Sequence, residues 1–144
     1  MPTRINTEIL IVGTGVSGLL AAIELSKEFK VTIISKSSSN KCSTAWAQGG
    51  IAAVVDDNDH VNYHIKDTVK NGHELCDVNA VENIIKQGKQ SIDLLAQHGV
   101  KFNKEGQMFN QTLEGGHSKR RIIYHNDNTG EEIHSSLMKI IMNS

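Results

Sequence analysis

The sequence predicts an α/β fold organised around a parallel sheet, and three neighbouring stretches predict it. "EILIVG", from Glu8 to Gly13, is a short apolar run that ends in glycine, the pattern of a buried parallel strand. The residues after it place Leu19, Ala22, Ile23 and Leu25 at helical spacing, which predicts a helix over 15–28. "VTIIS", from Val31 to Ser35, is a second β-rich run. Strand, glycine turn, helix and strand within about 30 residues make a βαβ unit. Its right-handed crossover lays the second strand beside the first.

The remaining elements follow in order. After a long polar loop, "GGIAAVV" reads as a short extended segment. Residues 60–72 read as a helix that ends at Gly72. The clearest helical pattern runs over 77–99, with Asp77 as N-cap, Val78, Val81, Ile84, Ile85, Ile92 and Leu95 on one face, and Gly99 as the stop. Residues 100–116 read as a hairpin or irregular loop, and "RIIYH" as a strand. The last helix covers 129–142, capped by Thr129 or Asp127, with Glu131 and Glu132 favourable in its first turn. Only one βαβ unit is complete, and the chain stops where an α/β fold would send its next strand. The expectation is that 1–144 is the front part of a larger domain, with helical insertions.

Composition narrows the classes. At 144 residues the chain is the size of one domain, and its net charge of −1 gives no footprint for nucleic acid or a polybasic membrane patch. No apolar run approaches the ~20 residues of a membrane helix, and the polar start before "ILIV" argues against a signal peptide. Cys42 and Cys76 form no CxxC and no disulfide framework, so the reading is a reducing, cytoplasmic setting.

The strongest motif is Gly13-Thr14-Gly15-Val16-Ser17-Gly18, a GxGxxG placed between a strand and a helix. In that Rossmann-like context the first glycine makes the tight turn. The second lets backbone amides approach a pyrophosphate, and the third lets the helix pack on the strand. The helix N-terminus adds partial positive charge. The alternative is a glycine-rich turn with no ligand. The acidic residue expected about 20 residues on, at the end of the second strand, is replaced by Ser35-Lys36, which argues against a simple NAD site. Lys36 reads equally as a phosphate or ribose contact and as a plain solvated lysine.

In order along the chain, "ILIVGTGVSGLLAAIEL", "VTIISK", "STAWAQGGIAAV", "EGGHSKRRI" and "DNTGEEIHSSL" resemble the N-terminal part of the flavoprotein family of fumarate reductase, succinate dehydrogenase and L-aspartate oxidase. The resemblance spans nearly all of the chain. It implies an FAD-binding domain whose substrate-capping and C-terminal helical domains are absent here. It implies that Gly13, Thr14, Gly15, Val16, Ser17, Gly18 and Lys36 serve the FAD. The loop Ser43, Thr44, Ala45, Trp46, Ala47, Gln48, Gly49 and Gly50 would wrap the cofactor, with small residues letting the backbone come close. Gln48 would bond the ring edge. Trp46 reads as a cofactor contact or as simple core.

Two positions separate the subfamilies. The succinate and fumarate enzymes carry, at the position of Ser43, the histidine that binds FAD covalently; a serine implies non-covalent FAD. At Glu114 the oxidases carry Glu and the dicarboxylate enzymes Phe, so a carboxylate there implies pairing with a substrate α-ammonium. Its plainer reading is a surface-loop carboxylate. The oxidase pattern usually has Arg where this chain has Leu113. Together these imply FAD-dependent oxidation of L-aspartate to iminoaspartate in NAD biosynthesis, with oxygen or fumarate accepting electrons and quinolinate synthase among the implied partners. The alternatives are a fragment of a succinate or fumarate flavoprotein, or a non-catalytic nucleotide-binding module. No catalytic residue is assigned in this fragment. The run Lys119-Arg120-Arg121 reads as an anion attractor or a solvated face, and His117 as near the site or plain packing. His60 and His64 stand i, i+4 but lack a third ligand, so no metal site is assigned. Cys42 has no general-base partner in the sequence, so no nucleophilic role is assigned to it.

Overall fold

A computed structural model describes residues 4–143 of the chain. β1 (Ile9–Val12) is followed by α1 (Val16–Leu25) and β2 (Val31–Ile34). The two strands pair in parallel, from Ile9 opposite Val31 to Val12 opposite Ile34, as the βαβ pattern requires. α1 buries Leu19, Ala22 and Ile23. It stops at Leu25, three residues short of the expected end. Ser26 is its C-cap, its hydroxyl bonding back to the Ile23 carbonyl in competition with a further turn. On the other face of the sheet Leu10, Val12 and Ile34 are exposed, Val12 at 77%.

The loop after β2 contains a helical turn that the sequence did not announce, α2 (Ser43–Trp46), followed by β3 (Ile51–Ala52). Four residues carry no periodicity to read, and one turn is too short to persist without tertiary support. α3 (Val61–Asn71) is capped by His60, whose ring nitrogen accepts from the Asn62 amide at 3.1 Å. The long helix expected over 77–99 is two helices, α4 (Val78–Lys86) and α5 (Gly88–Gln97), broken at Gln87. The expected Asp77 cap is present, its carboxylate accepting from the Ala80 amide at 3.1 Å. The break lets α5 drop onto the core: a Cβ on Gly88 would touch Ala53 at 3.4 Å, while Ile92 and Leu95 are buried.

The region after Gly99 holds a small hairpin, β4 (Lys104–Glu105) with β5 (Met108–Phe109), turning through Gly106 at φ +61. β6 (Gln111–Thr112) and β7 (Ile122–Ile123) complete a three-stranded antiparallel sheet in the order β3-β7-β6. α6 (Thr129–Met142) closes the fold. Its N-cap is Asn128, one residue from either expected cap, and the Thr129 hydroxyl instead accepts from the His125 amide at 2.9 Å. The core joins α1, α5, β7 and α6 through Leu19, Ile23, Ile92, Leu95, Ile123, Ile133 and Leu137, with Val100 and Phe102 closing one end.

α2 rests on the first turn of α6. The Gly130 amide donates to the Ala47 carbonyl at 2.9 Å, and a Cβ on Gly130 would overlap the Thr44 carbonyl oxygen. Gly130→Ala is therefore expected to cost about 1–3 kcal/mol by overpacking. Gly88→Ala, where the added methyl meets only ordinary contact, is expected to be near neutral. Thermal melts of the two variants check the contrast; equal melting temperatures would remove the case for a glycine-only contact at 130.

Candidate cofactor site

The glycine turn is built as its spacing demands. Gly13 lies at φ +113, where a side chain would be strained, and its amide donates to the Ile34 carbonyl at 2.8 Å. A Cβ on Gly18 would overlap the Gly13 carbonyl oxygen, so α1 lies on β1 at a distance only glycine permits. Gly15 is the N-cap of α1 with an extended backbone (φ −71) and no side-chain cap. Among the described residues, the Ser17 and Gly18 amides in the first turn meet no protein acceptor. Open amides at a helix N-terminus, with no side chain at residue 15 to obstruct them, suit the pyrophosphate of a dinucleotide.

The 43–50 loop is held directly against this turn. The Thr44 hydroxyl accepts from the Val16 amide at 3.0 Å, and a Cβ on Gly15 would stand 3.4 Å from the same oxygen. The buried Thr14 donates to the Ser39 carbonyl at 2.9 Å, and Cys42 Sγ lies 3.6 Å from the Thr14 carbonyl. Ser43, Trp46, Ala47, Gln48, Gly49 and Gly50 are exposed, as is Lys36 beyond β2. Trp46 is 72% exposed, which removes the reading that it is core. A cofactor lying along this loop would meet small side chains, one indole and open backbone.

Glu114, 65 residues from Gly49 in sequence, joins the same surface: a Cβ on Gly49 would lie 3.8 Å from its carboxylate. The loop that carries it is tied to α3. The Asn71 side chain donates to the Gly116 carbonyl at 2.8 Å. The Ser118 amide and hydroxyl both donate to Asp67, at 2.8 and 2.7 Å.

Beneath this loop lies an ion network that sequence reasoning missed. Arg121 was grouped with Lys119 and Arg120 as a basic run. Those two are exposed, but Arg121 is fully buried. Its guanidinium pairs with Asp59 at 2.6 and 2.9 Å and with Asp67 at 2.7 Å. Its Nη1 stands 3.2 Å from His117 Nδ1, which must accept because a guanidinium only donates. His64 packs beside His117 with ring centroids 5.5 Å apart, and its buried Nδ1 has no partner among the described residues. No local signal announces the network, because Asp59 and Asp67 lie 62 and 54 residues from Arg121.

Electrostatics follow from this arrangement. Burial pushes the Asp67 carboxyl up, but the Ser118 amide and hydroxyl and the Arg121 guanidinium outweigh it and hold it far below the usual carboxylate range. Burial likewise opposes Asp59, and bonds from Arg121 and the His60 amide bring it down. Burial first, then the charge of Arg121, lowers His64.

The chain is matched over residues 8–142 by the FAD binding domain family. It belongs to that family. FAD is thus the cofactor of this domain, and the open amides of α1 fit its pyrophosphate. The chain is 42% identical over 133 residues to an L-aspartate oxidase of Acinetobacter baylyi, covering 92% of this chain and 24% of that protein. It is 40% identical over 137 residues to an L-aspartate oxidase of Yersinia pestis, covering 92% and 26%. Among solved structures it resembles the E. coli quinol fumarate reductase flavoprotein, with TM-score 0.88 and 28% identity over 96% of this chain and 24% of that one. The apo Sdh1 complex of Mycobacterium smegmatis gives TM-score 0.87 and 28% identity over 95% and 24%. The FAD-binding chain thus spans about a quarter of the length of the relatives it matches. Among the described residues, no helix is long and apolar enough to cross a membrane.

Two outcomes are expected. Gly15→Val abolishes FAD binding with helix content intact, because φ at residue 15 is negative and the branched side chain enters the ligand's space rather than straining the backbone. Flavin absorbance after gel filtration, beside far-ultraviolet circular dichroism, reads both; full flavin occupancy in a folded variant would move the phosphate site elsewhere. The second concerns pH. Asp59 and Asp67 have folded-state pKa values below their unfolded ones, so they stabilise the fold above the unfolded value and lose this as pH falls. His64 is also lowered, so acid favours its unfolded, protonated form. Melting temperature should fall from pH 7 to 5, then fall further below about pH 4. Asp67→Asn should flatten the second fall, and an unchanged acid profile in that variant contradicts the assignment.

Proposed function

We propose that the chain is the N-terminal part of an FAD-dependent L-aspartate oxidase, which converts L-aspartate to iminoaspartate. The acceptor would be oxygen or fumarate, and the setting the cytoplasmic start of NAD biosynthesis, with quinolinate synthase as the consumer of the product. The observation that carries the reading is the Glu114 carboxylate lying beside Gly49 of the 43–50 loop, supported by relatives named as L-aspartate oxidases.

In this reading the Gly15, Ser17 and Gly18 amides hold the FAD pyrophosphate, Lys36 answers its phosphate or ribose, and residues 43–50 back the flavin, with Gln48 at the ring edge. Bound FAD supplies the acceptor for the hydride that leaves the substrate Cα. Glu114 pairs with the substrate α-ammonium and so selects an amino acid over a plain dicarboxylate. Ser43 offers no imidazole for attachment, so the FAD is non-covalent. In this reading no residue of this chain is assigned to the substrate carboxylates or to proton transfer. The likeness to fumarate reductase structures favours a dicarboxylate enzyme as second reading, and Glu114 is the residue that discriminates.

Acid precipitation of the FAD-loaded protein is expected to leave the yellow colour in the supernatant; flavin retained in the pellet contradicts the role given to Ser43. In the full-length protein, Glu114→Gln is expected to lower the ratio of L-aspartate oxidation to fumarate reduction by roughly 30- to 1000-fold, the loss of one partner of a close charge pair. An unchanged ratio makes Glu114 a surface carboxylate.

A further inference from the structure

We propose that Asp67 and Asn71 of α3, with Arg121 behind them, are positioning residues that hold the Glu114 carboxylate in place and so set the preference for an ammonium-bearing substrate. The inference rests on the substrate-facing reading of Glu114 given above.

Glu114 stands in a loop that cannot fix itself. Residues 113–116 are exposed, and Gly115 and Gly116 follow the carboxylate directly, Gly116 at φ +85. A glycine pair gives the backbone more freedom than any other dipeptide, and a carboxylate on such a loop would lose most of its pairing energy to ordering. The structure supplies the order from outside. Asn71 and Asp67 lie one helical turn apart on the same face of α3, and each takes hold of the loop at a different point. Asn71 binds the Gly116 carbonyl and fills the space where a Cβ at 116 would stand. Asp67 receives both donors of Ser118 through one oxygen. The same oxygen also accepts from Arg121 Nη1, so the charge behind the bracket is locked in turn by the paired bonds to Asp59.

The burial of this network supports a positional role. Asp59 is 3% exposed, Asp67 15% and Arg121 not at all. Removing such charges from water offsets most of what their attraction returns, so a buried ion cluster is weak grounds for stability on its own. What it does supply is geometry: a planar guanidinium with two carboxylates admits one arrangement of the three segments that carry them. Those segments are the loop before α3, α3 itself, and the end of the Glu114 loop just before β7. A shift of the loop by even a small fraction of its length would move Glu114 off Gly49, because its two anchors, Gly116 and Ser118, are two and four residues away.

The substitutions are tolerable to the fold. Asn71 is exposed, and Asp67→Asn leaves Arg121 facing one carboxylate, so the buried charge stays balanced. In the FAD-loaded full-length protein, Asn71→Ala and Asp67→Asn are each expected to lower the ratio of L-aspartate oxidation to fumarate reduction by about 3- to 10-fold, the loss of one hydrogen bond's worth of positioning. The loss should appear in KM for L-aspartate more than in kcat, with FAD affinity at the wild-type value. Combined with Glu114→Gln, neither should lower the ratio further, since a displaced loop has no carboxylate left to misplace. If Glu114→Gln lowers the ratio and the α3 variants do not, or if their effects add in full, the positioning role is overturned while the reading of Glu114 stands. If both activities and the melting temperature fall together, α3 is only structural and the inference fails. If Glu114→Gln leaves the ratio unchanged, the underlying reading fails and takes the inference with it.

Discussion

The close approach of α1 to β1 at Gly18 and Gly13 is the constraint on which the site depends. Because a methyl group at 18 would overlap the Gly13 carbonyl, helix and strand meet backbone to backbone. That contact fixes where the first turn of α1 points its amides. Everything else in the candidate site is placed relative to those amides. Thr44 reaches the Val16 amide, α2 lies against α6 through Gly130, and Gly50 crowds the carbonyl of Ile123 on β7. Glycines at 18, 50 and 130 each allow one backbone to touch another, and between them they join the glycine turn, the 43–50 loop and the last helix into one surface.

A second layer uses charge instead of close approach. Arg121, Asp59 and Asp67 connect segments far apart in sequence and support the loop that carries Glu114. The two layers have different sensitivities. The glycine contacts are indifferent to pH and intolerant of added volume. The ion network weakens in acid, where its carboxylates would have to be protonated.

This division also explains what the sequence could show. β1, the glycine turn, α1 and β2 were legible because their signals are local: an apolar run, a fixed glycine spacing and a 3.6-residue period. α3 was legible with each end displaced by one residue, α6 with both ends as expected, and the hairpin at 104–109 only as one of two readings of residues 100–116. The break at Gln87 was not, because it answers to Gly88 packing on Ala53, 35 residues earlier. α2 was not, because Ser43-Thr44-Ala45-Trp46 has no periodic pattern and is held from outside by α6. Arg121 looked like one cation of three, and only the fold reveals that its neighbours in space are Asp59 and Asp67. The motif residues at 13–18 could be placed from spacing alone, whereas the resemblance gave Glu114 only a role, and its place beside Gly49 came only from the fold.

The glycine turn and the 43–50 loop form one FAD cradle in this reading, separate from the groove of about 860 Å³ that runs past Lys89, Glu105 and Tyr124. Hydrogen–deuterium exchange of the protein with and without FAD tests it most directly. The account predicts that FAD slows exchange in peptides covering 13–18 and 43–50 together, and leaves 104–112 unchanged. Protection confined to 104–112, or to one of the two cradle segments without the other, would contradict it.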